Sequence, residues 1–204
     1  MRNAKMNKAK VKNFFLYHWY WYLAIFVAVF FAFFSLFQNI RTLKYENKVC
    51  LFFGATNVES ARLERDLYQG FEDTEIRKIS VDFADPKGMY YNVIWSTRGA
   101  VDTDIVILDR DQFDEREYTS FFVSLDEGVL NRYVDVSSLN FLNDSEETHY
   151  GIYVDPYLET YMDTSSGEYY LFFNKNSPKI SSLGENGTND YALRVLKNLV
   201  GLAK

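Results

Sequence analysis

A chain of 204 residues with a single cysteine, Cys50, has no internal disulfide and no zinc site built on paired thiolates. Its two histidines, His18 and His149, are too few and too far apart for a Ser/His/Asp or Cys/His catalytic set. Three prolines and ten glycines exclude collagen-like and low-complexity chains, and no internal repeat is visible. Apolar side chains, by contrast, are abundant: hydrophobic residues make up 48% and aromatic residues 18%, with 18 Phe and 16 Tyr. That is far too apolar for a disordered chain, so stability must come from a packed core of about one domain.

Charge is distributed unevenly. Residues 1–44 hold seven Lys or Arg and no acid, which leaves 15 bases against 28 acids, a net of −13, for residues 45–204. An acidic surface repels phosphate backbones, so no nucleic-acid partner is expected.

The segment Phe14 to Phe37 contains no Asp, Glu, Lys or Arg. As a helix its 24 residues would cover about 36 Å, more than the ~30 Å hydrocarbon core of a bilayer. It opens with the aromatic cluster Tyr17, His18, Trp19, Tyr20, Trp21 and Tyr22, suited to a membrane interface, and continues as the purely apolar Ile25 to Phe37. The stretch is too long for a cleavable signal, and its basic flank (residues 1–13) outweighs Arg41, Lys44 and Lys48 on the other side. These features predict a single-pass signal-anchor in the cell membrane: a basic cytoplasmic tail 1–13, a transmembrane helix 14–37, a polar stem 38–47 and an extracytoplasmic domain 48–204. The residues before Cys50 are charged or polar rather than the small apolar ones of a lipoprotein signal, so Cys50 reads as a small strand residue.

The outer domain alternates strand and helix. Lys48–Phe53 is an apolar run closed by Gly54, a strand buried on both faces. Thr56-Asn57-Val58-Glu59 has the form of a capping box, with Leu63, Leu67 and Phe71 behind it, which predicts a helix over about 57–70 with Arg62 and Asp66 pairing on its outer side. A second strand is expected over 75–83, a helix from Asp85-Pro86 to Gly99, and a third strand over 104–108. The second half is less regular. A short helix is expected over 113–122, loops over 123–127 and 131–139, strands over 149–154 and 169–173, and a terminal helix behind Asn189 or Asp190 with Ala192, Val195, Leu196, Leu199 and Leu202 on one face. Strands joined through helices imply an α/β fold with a three-layer architecture and a mostly parallel sheet.

The order of these pieces resembles the first lobe of the extracytoplasmic solute-binding proteins of bacterial ABC transporters. The likeness is carried by Gly54-Ala55-Thr56 after the first strand, Phe71, the strand from Ile76 to Phe83, the helix leading to Gly99, and Asp102-Thr103-Asp104-Ile105-Val106. Phe113, the stretch Phe122-Val123-Ser124-Leu125-Asp126-Glu127, the strand Tyr150-Gly151-Ile152-Tyr153-Val154, the segment 167–179 and the helix 192–200 extend it. Members of that family carry a second lobe inserted after the first crossing strand, whereas here only residues 155–166 separate the two strands. The resemblance therefore implies a lone lobe with half a cleft, weak or no small-molecule binding, and a membrane permease or other envelope protein as the partner that supplies the other wall.

In an open parallel sheet, ligands sit outside the carboxyl ends of the strands. The candidate ligand-binding residues are therefore Thr56, Asn57, Asp109, Arg110, Asp155 and Tyr157. Thr56 and Asn57 offer a hydroxyl and an amide to an anion or, more plainly, cap a helix. Arg110 would hold a carboxylate or balance the surrounding acids, and Tyr157 would stack on a ring or pack in the core. Asp109-Arg110-Asp111 also resembles the Asp-x-Asp motif of membrane-anchored, metal-dependent glycosyltransferases, the alternative reading, since hard carboxylates suit Mg²⁺ or Mn²⁺. No phosphate-cradling glycine loop accompanies it, and the calcium-loop spacing fails at Phe113. No catalytic residue, metal or cofactor is expected.

Overall fold

The computed structural model describes residues 8–41, 44–165 and 167–202; in the first of these stretches the described side chains are those of residues 19–35. The chain divides into two compact units, Met1–Leu43 and Lys44–Lys204.

Among the described residues the first unit is one helix, α1 (Lys8–Arg41), which runs past the apolar stretch at both ends. Its side chains from Trp19 to Ser35 are all exposed, Phe26, Phe31 and Phe33 among the most so. Among the described residues no helix is long and apolar enough to cross a membrane. The ends of the span expected over 14–37, and with them Tyr17, His18 and the basic tail 1–13, lie outside the residues whose side chains are described.

The second unit is an α/β domain with helices on both faces of a six-stranded sheet. Chain order is β1 (Lys48–Gly54), α2 (Ser60–Leu67), β2 (Lys78–Phe83), α3 (Tyr91–Ile94), β3 (Ile105–Asp109), α4 (Glu115–Phe121), α5 (Glu127–Leu130), β4 (Phe141–Asn143), β5 (His149–Tyr153), α6 (Asp155–Leu158), β6 (Tyr169–Phe173) and α7 (Tyr191–Gly201). Spatial order in the sheet is β2-β1-β3-β6-β5-β4. Period-two alternation divides the core. Val49, Leu51 and Phe53 of β1, Ile105 and Ile107 of β3, and Leu171 and Phe173 of β6 point to the larger cluster, where Leu63 and Leu67 of α2 and Leu193 and Leu196 of α7 cover them. Phe52, Val106, Leu108 and Phe172 point the other way, under Tyr91, Ile94, Trp95, Tyr118 and Phe122.

The mostly parallel sheet expected from the strand and helix alternation is corrected to a mixed one. β1 is parallel to β2 and to β3, whereas β3–β6, β6–β5 and β5–β4 are antiparallel. A parallel return needs a connection that crosses the sheet face, and only the first half of the chain supplies such helical crossovers. β4 and β5 are joined by the short turn 144–148, and β5 reaches β6 through the single turn of α6.

Local chemistry also departs from expectation in places. No capping box forms at Thr56: α2 begins at Ser60 with Glu59 as its N-cap, and Asn57 adopts a left-handed backbone, φ 55°. The capping box of this domain lies instead at Asp114 and Glu117, at the start of α4. The Arg62–Asp66 pair forms at 3.9 Å. α3 is only four residues long and continues as a π-helical turn, Trp95–Gly99, in which Gly99 packs against the Trp95 ring where an added Cβ would collide.

Candidate functional site

The carboxyl ends of β1, β3 and β5 share one edge of the sheet, since the antiparallel β6 between β3 and β5 leaves those three running the same way. The fold therefore brings the candidate residues to a single edge. Thr56 and Asn57 follow β1 and are exposed, and neither side chain makes a hydrogen bond among the described residues. Asp109 ends β3, and Asp155 and Tyr157 follow β5.

The chain changes direction between β1 and β3: β1 leads to β2 on one side, and β2 leads to β3 on the other. The crevice at such a switch point is the expected ligand seat. Here it is occupied by Gln112. Its Nε2 donates to the Gly54 carbonyl at 2.7 Å, and its Oε1 accepts from the Tyr91 hydroxyl at 3.0 Å. Burial and the nearby Glu117 push the Tyr91 phenol up to about 12, so it remains a donor at every physiological pH. Gly54 makes room for this packing, since a Cβ there would crowd the ends of the Gln112, Leu108 and Tyr91 side chains. Neither Gln112 nor Tyr91 stands out in the sequence: an amide three residues past a strand and one tyrosine among 16 carry no pattern.

The acids on the edge act on the protein's own backbone. Asp109 accepts from the amide of Asp111 at 3.3 Å and from that of Glu168 at 3.4 Å. Asp155, buried, accepts from the next amide, Tyr169, at 2.7 Å, and from the Tyr153 hydroxyl. Two carboxylates thus fix consecutive amides where β6 begins. Burial, with the Glu168 and Asp109 charges adding to it and the Tyr169 and Tyr153 bonds opposing it, leaves the Asp155 carboxyl above the usual carboxylate range. Among the described residues Arg110 makes no ion pair. Its guanidinium donates to the Phe113 carbonyl at 3.3 Å and lies over the Phe113 ring. Tyr157 takes the packing role, partly buried against the larger core cluster. Around these groups lies a shallow open depression lined by Tyr153, Asp155, Glu159, Asp163 and Glu168. Among the described residues no group of three potential ligands is arranged to hold a metal ion, and no buried side-chain polar atom lacks a partner.

At the opposite edge, where the chain enters the domain, a second constellation appears that sequence reasoning missed. Lys179 and Asp104, both fully buried, pair at 3.0 Å. Asp104 also accepts from the Tyr45 hydroxyl at 2.5 Å, Ser177 Oγ at 2.7 Å and the Cys50 amide at 2.8 Å. The Lys179 ammonium sits 3.5 Å from the centre of the Tyr45 ring. Burial first, then the Asp104 charge, pushes the Cys50 thiol up to about 11, so it is an unreactive buried thiol. Asp104, Lys179 and Ser177 are all buried, which suits a structural lock rather than chemistry on a substrate. Compared with known proteins, the chain matches no family model and no curated protein.

Proposed function

We propose that this chain is a membrane-anchored, extracytoplasmic interaction module resembling a single lobe of a solute-binding protein, which works against a partner chain rather than on a free solute. The observation that carries this reading is the plugged switch-point crevice. A ligand pocket must bury most of its ligand, and the seat where that would happen is filled by Gln112 locked between Gly54 and Tyr91. What the edge leaves available is a broad acidic surface around Asp111, Glu159, Asp163 and Glu168, a surface for a basic partner such as the outward face of a membrane permease or another envelope protein. The Asp-x-Asp reading as a glycosyltransferase gains no support from the geometry, because Asp109 is engaged by the Asp111 and Glu168 amides.

The test is affinity isolation of the full chain from native membranes in a detergent that preserves complexes, beside the triple variant Asp111→Lys, Glu159→Lys, Asp163→Lys. A polytopic membrane protein retained by the unaltered chain and lost from the variant is the expected result. Retention of nothing, or tight calorimetric binding of a small solute by the isolated chain, overturns the proposal.

A further inference from the structure

His149 opens β5, at the sheet edge away from the acidic strand ends, and neither the interaction surface nor the buried lock uses it. The strands diverge here. β5 and β6 pair only at Ile152–Leu171 and Tyr153–Tyr170, and beyond that pairing the segment 122–127 lies between them. Val123 donates its amide to the Phe173 carbonyl of β6 at 3.0 Å, and Leu125 donates to the His149 carbonyl of β5 at 2.7 Å. α5 starts directly from this wedge, so whatever fastens residues 125–127 to β5 fastens α5 as well.

The imidazole supplies the side-chain part of that hold. Its Nε2 lies 2.9 Å from Oε1 of Glu127, the first residue of α5, and its Nδ1 lies 2.6 Å from Oδ1 of Asn143 on β4. The ring stacks on Phe141 of β4, centroids 4.5 Å apart. Both ring nitrogens thus face acceptors. A neutral imidazole has one N–H and one lone pair and satisfies only one of them, whereas the imidazolium has two N–H groups and satisfies both. The 2.6 Å contact has the shortness of a charge-assisted bond, and a cation against the Phe141 face is attracted by the ring quadrupole. The charged surroundings are acidic. Glu127 faces the ring from α5, and Asp135, whose carboxylate accepts from the Ser137 amide and hydroxyl at 3.1 and 2.7 Å, lines the open depression that these residues share with Asn131 and Phe141. In the turn before β5, Asp144 is engaged by the amides of Glu146 and Thr148, and Glu146 and Glu147 are exposed. Among the described residues no Lys or Arg lines that depression, and Arg132, just past α5, is exposed.

We propose that His149 is a proton-operated clamp: with both ring nitrogens protonated it fastens α5 to the β4–β5 hairpin through Glu127 and Asn143, and on losing one proton to solvent it releases one of the two, loosening α5 and the wall of the depression. Imidazole suits such a device because it ordinarily changes charge between pH 5 and pH 8. The Glu127 side chain is 60% exposed and that of His149 25%, so the clamp is graded: it changes local opening a few-fold and does not unfold the domain.

The full chain, ¹⁵N-labelled in detergent micelles, is the sample, and His18→Gln leaves His149 as the one imidazole. Imidazole ¹⁵N spectra and amide exchange, with rates corrected for the intrinsic effect of pH, are read between pH 5 and pH 8; the window begins at pH 5 because ordinary carboxylic acids have already ionised there. The expected result is two ring N–H groups at pH 5, one at pH 8, and protection of the Val129 and Leu130 amides, which donate to the Asp126 carbonyl, that falls about threefold across the same midpoint. In His149→Phe, which keeps an aromatic ring over Phe141 and removes both donors, that protection should be low and flat with pH. A ring with one N–H at pH 5 overturns the proposal, Asn143 then presenting its amide nitrogen to a neutral imidazole. So does protection that is unchanged when the ring loses its proton, or a fall that persists in His149→Phe and so belongs to another group.

Discussion

At the scale of single residues, the two edges of the sheet hold their carboxylates in opposite ways, and each predicts a different behaviour. Asp104 is surrounded by donors and paired with Lys179, so removing the cation leaves a buried charge uncompensated. Lys179→Met is expected to cost about 3–5 kcal/mol in chemical denaturation, and Asp104→Asn/Lys179→Met clearly less than the sum of the two single changes. Additive losses would mean that the pair is not coupled. Asp155 is the contrary case, a buried carboxyl whose folded pKa lies above its unfolded value. The folded state therefore holds the proton more tightly, a contribution fully present below the ordinary value of about 4 and lost as pH rises through the folded pKa. Asn at this position still accepts from the Tyr169 amide and never ionises. The melting temperature of Asp155→Asn should accordingly gain on the unaltered protein between pH 3 and pH 7; a difference that is flat with pH would refute the burial argument. Gln112 offers a third test. Gln112→Ala is expected to cost about 1 kcal/mol for the lost bond to Gly54, Gly54→Ala about 1–3 kcal/mol through collision, and the double change less than their sum, because the new methyl occupies the space the amide vacates.

At the scale of elements, the contact between α2 and α7 rests on amides as well as on leucines. Asn198 of α7 donates its side-chain amide to the carbonyls of Leu67 and Gln69, at 2.9 and 2.6 Å, and Arg194 donates to Gly70 at 2.9 Å, so the last helix closes the open carbonyl end of α2. Asn198→Ala is expected to destabilise by about 1–2 kcal/mol, seen as a lower denaturant midpoint with an unchanged slope; a changed slope would instead point to a loosened native state. None of this bond set is visible in the sequence, although the helix is, because Leu193, Leu196 and Leu199 repeat at helical spacing whereas Asn198 faces a partner 131 residues earlier. The same contrast runs through the fold. β1, β3 and β6 were legible as continuous apolar runs, and Leu63 and Leu67 marked α2. β4 at Phe141–Asn143, α5 and α6 were not, because three or four residues hold less than one period of any pattern, and direction of pairing is set by how a connection travels, which composition does not record. The candidate site was half legible. Strand ends placed Asp109 and Asp155 on one edge, but the plug at Gln112 is a tertiary fact, and so is the turn of Arg110 onto the Phe113 carbonyl and ring.

At the scale of the whole molecule, the two buried clusters of the Lys44–Lys204 unit run from Val49 to Leu199. The domain begins at the edge of the sheet opposite the acidic strand ends, where Tyr45 is the first side chain to reach into the buried network. That side chain works as a latch: its hydroxyl donates to Asp104, and its ring receives the Lys179 ammonium. Burial and the Asp104 charge push the Tyr45 phenol well above its ordinary range, so the donor persists at any pH the fold survives. A fragment beginning at Lys44 should therefore melt cooperatively as the full chain's domain does, whereas one beginning at Lys48 loses a bond to a charged acceptor together with a desolvated cation–π contact, about 3 kcal/mol in all. For a domain of this length that corresponds to a melting temperature lower by roughly 6–12 °C. Tyr45→Phe, which keeps the ring and drops the hydroxyl, should fall between the two. If the two fragments melt together, Tyr45 contributes nothing to the stability of the domain and the latch is refuted.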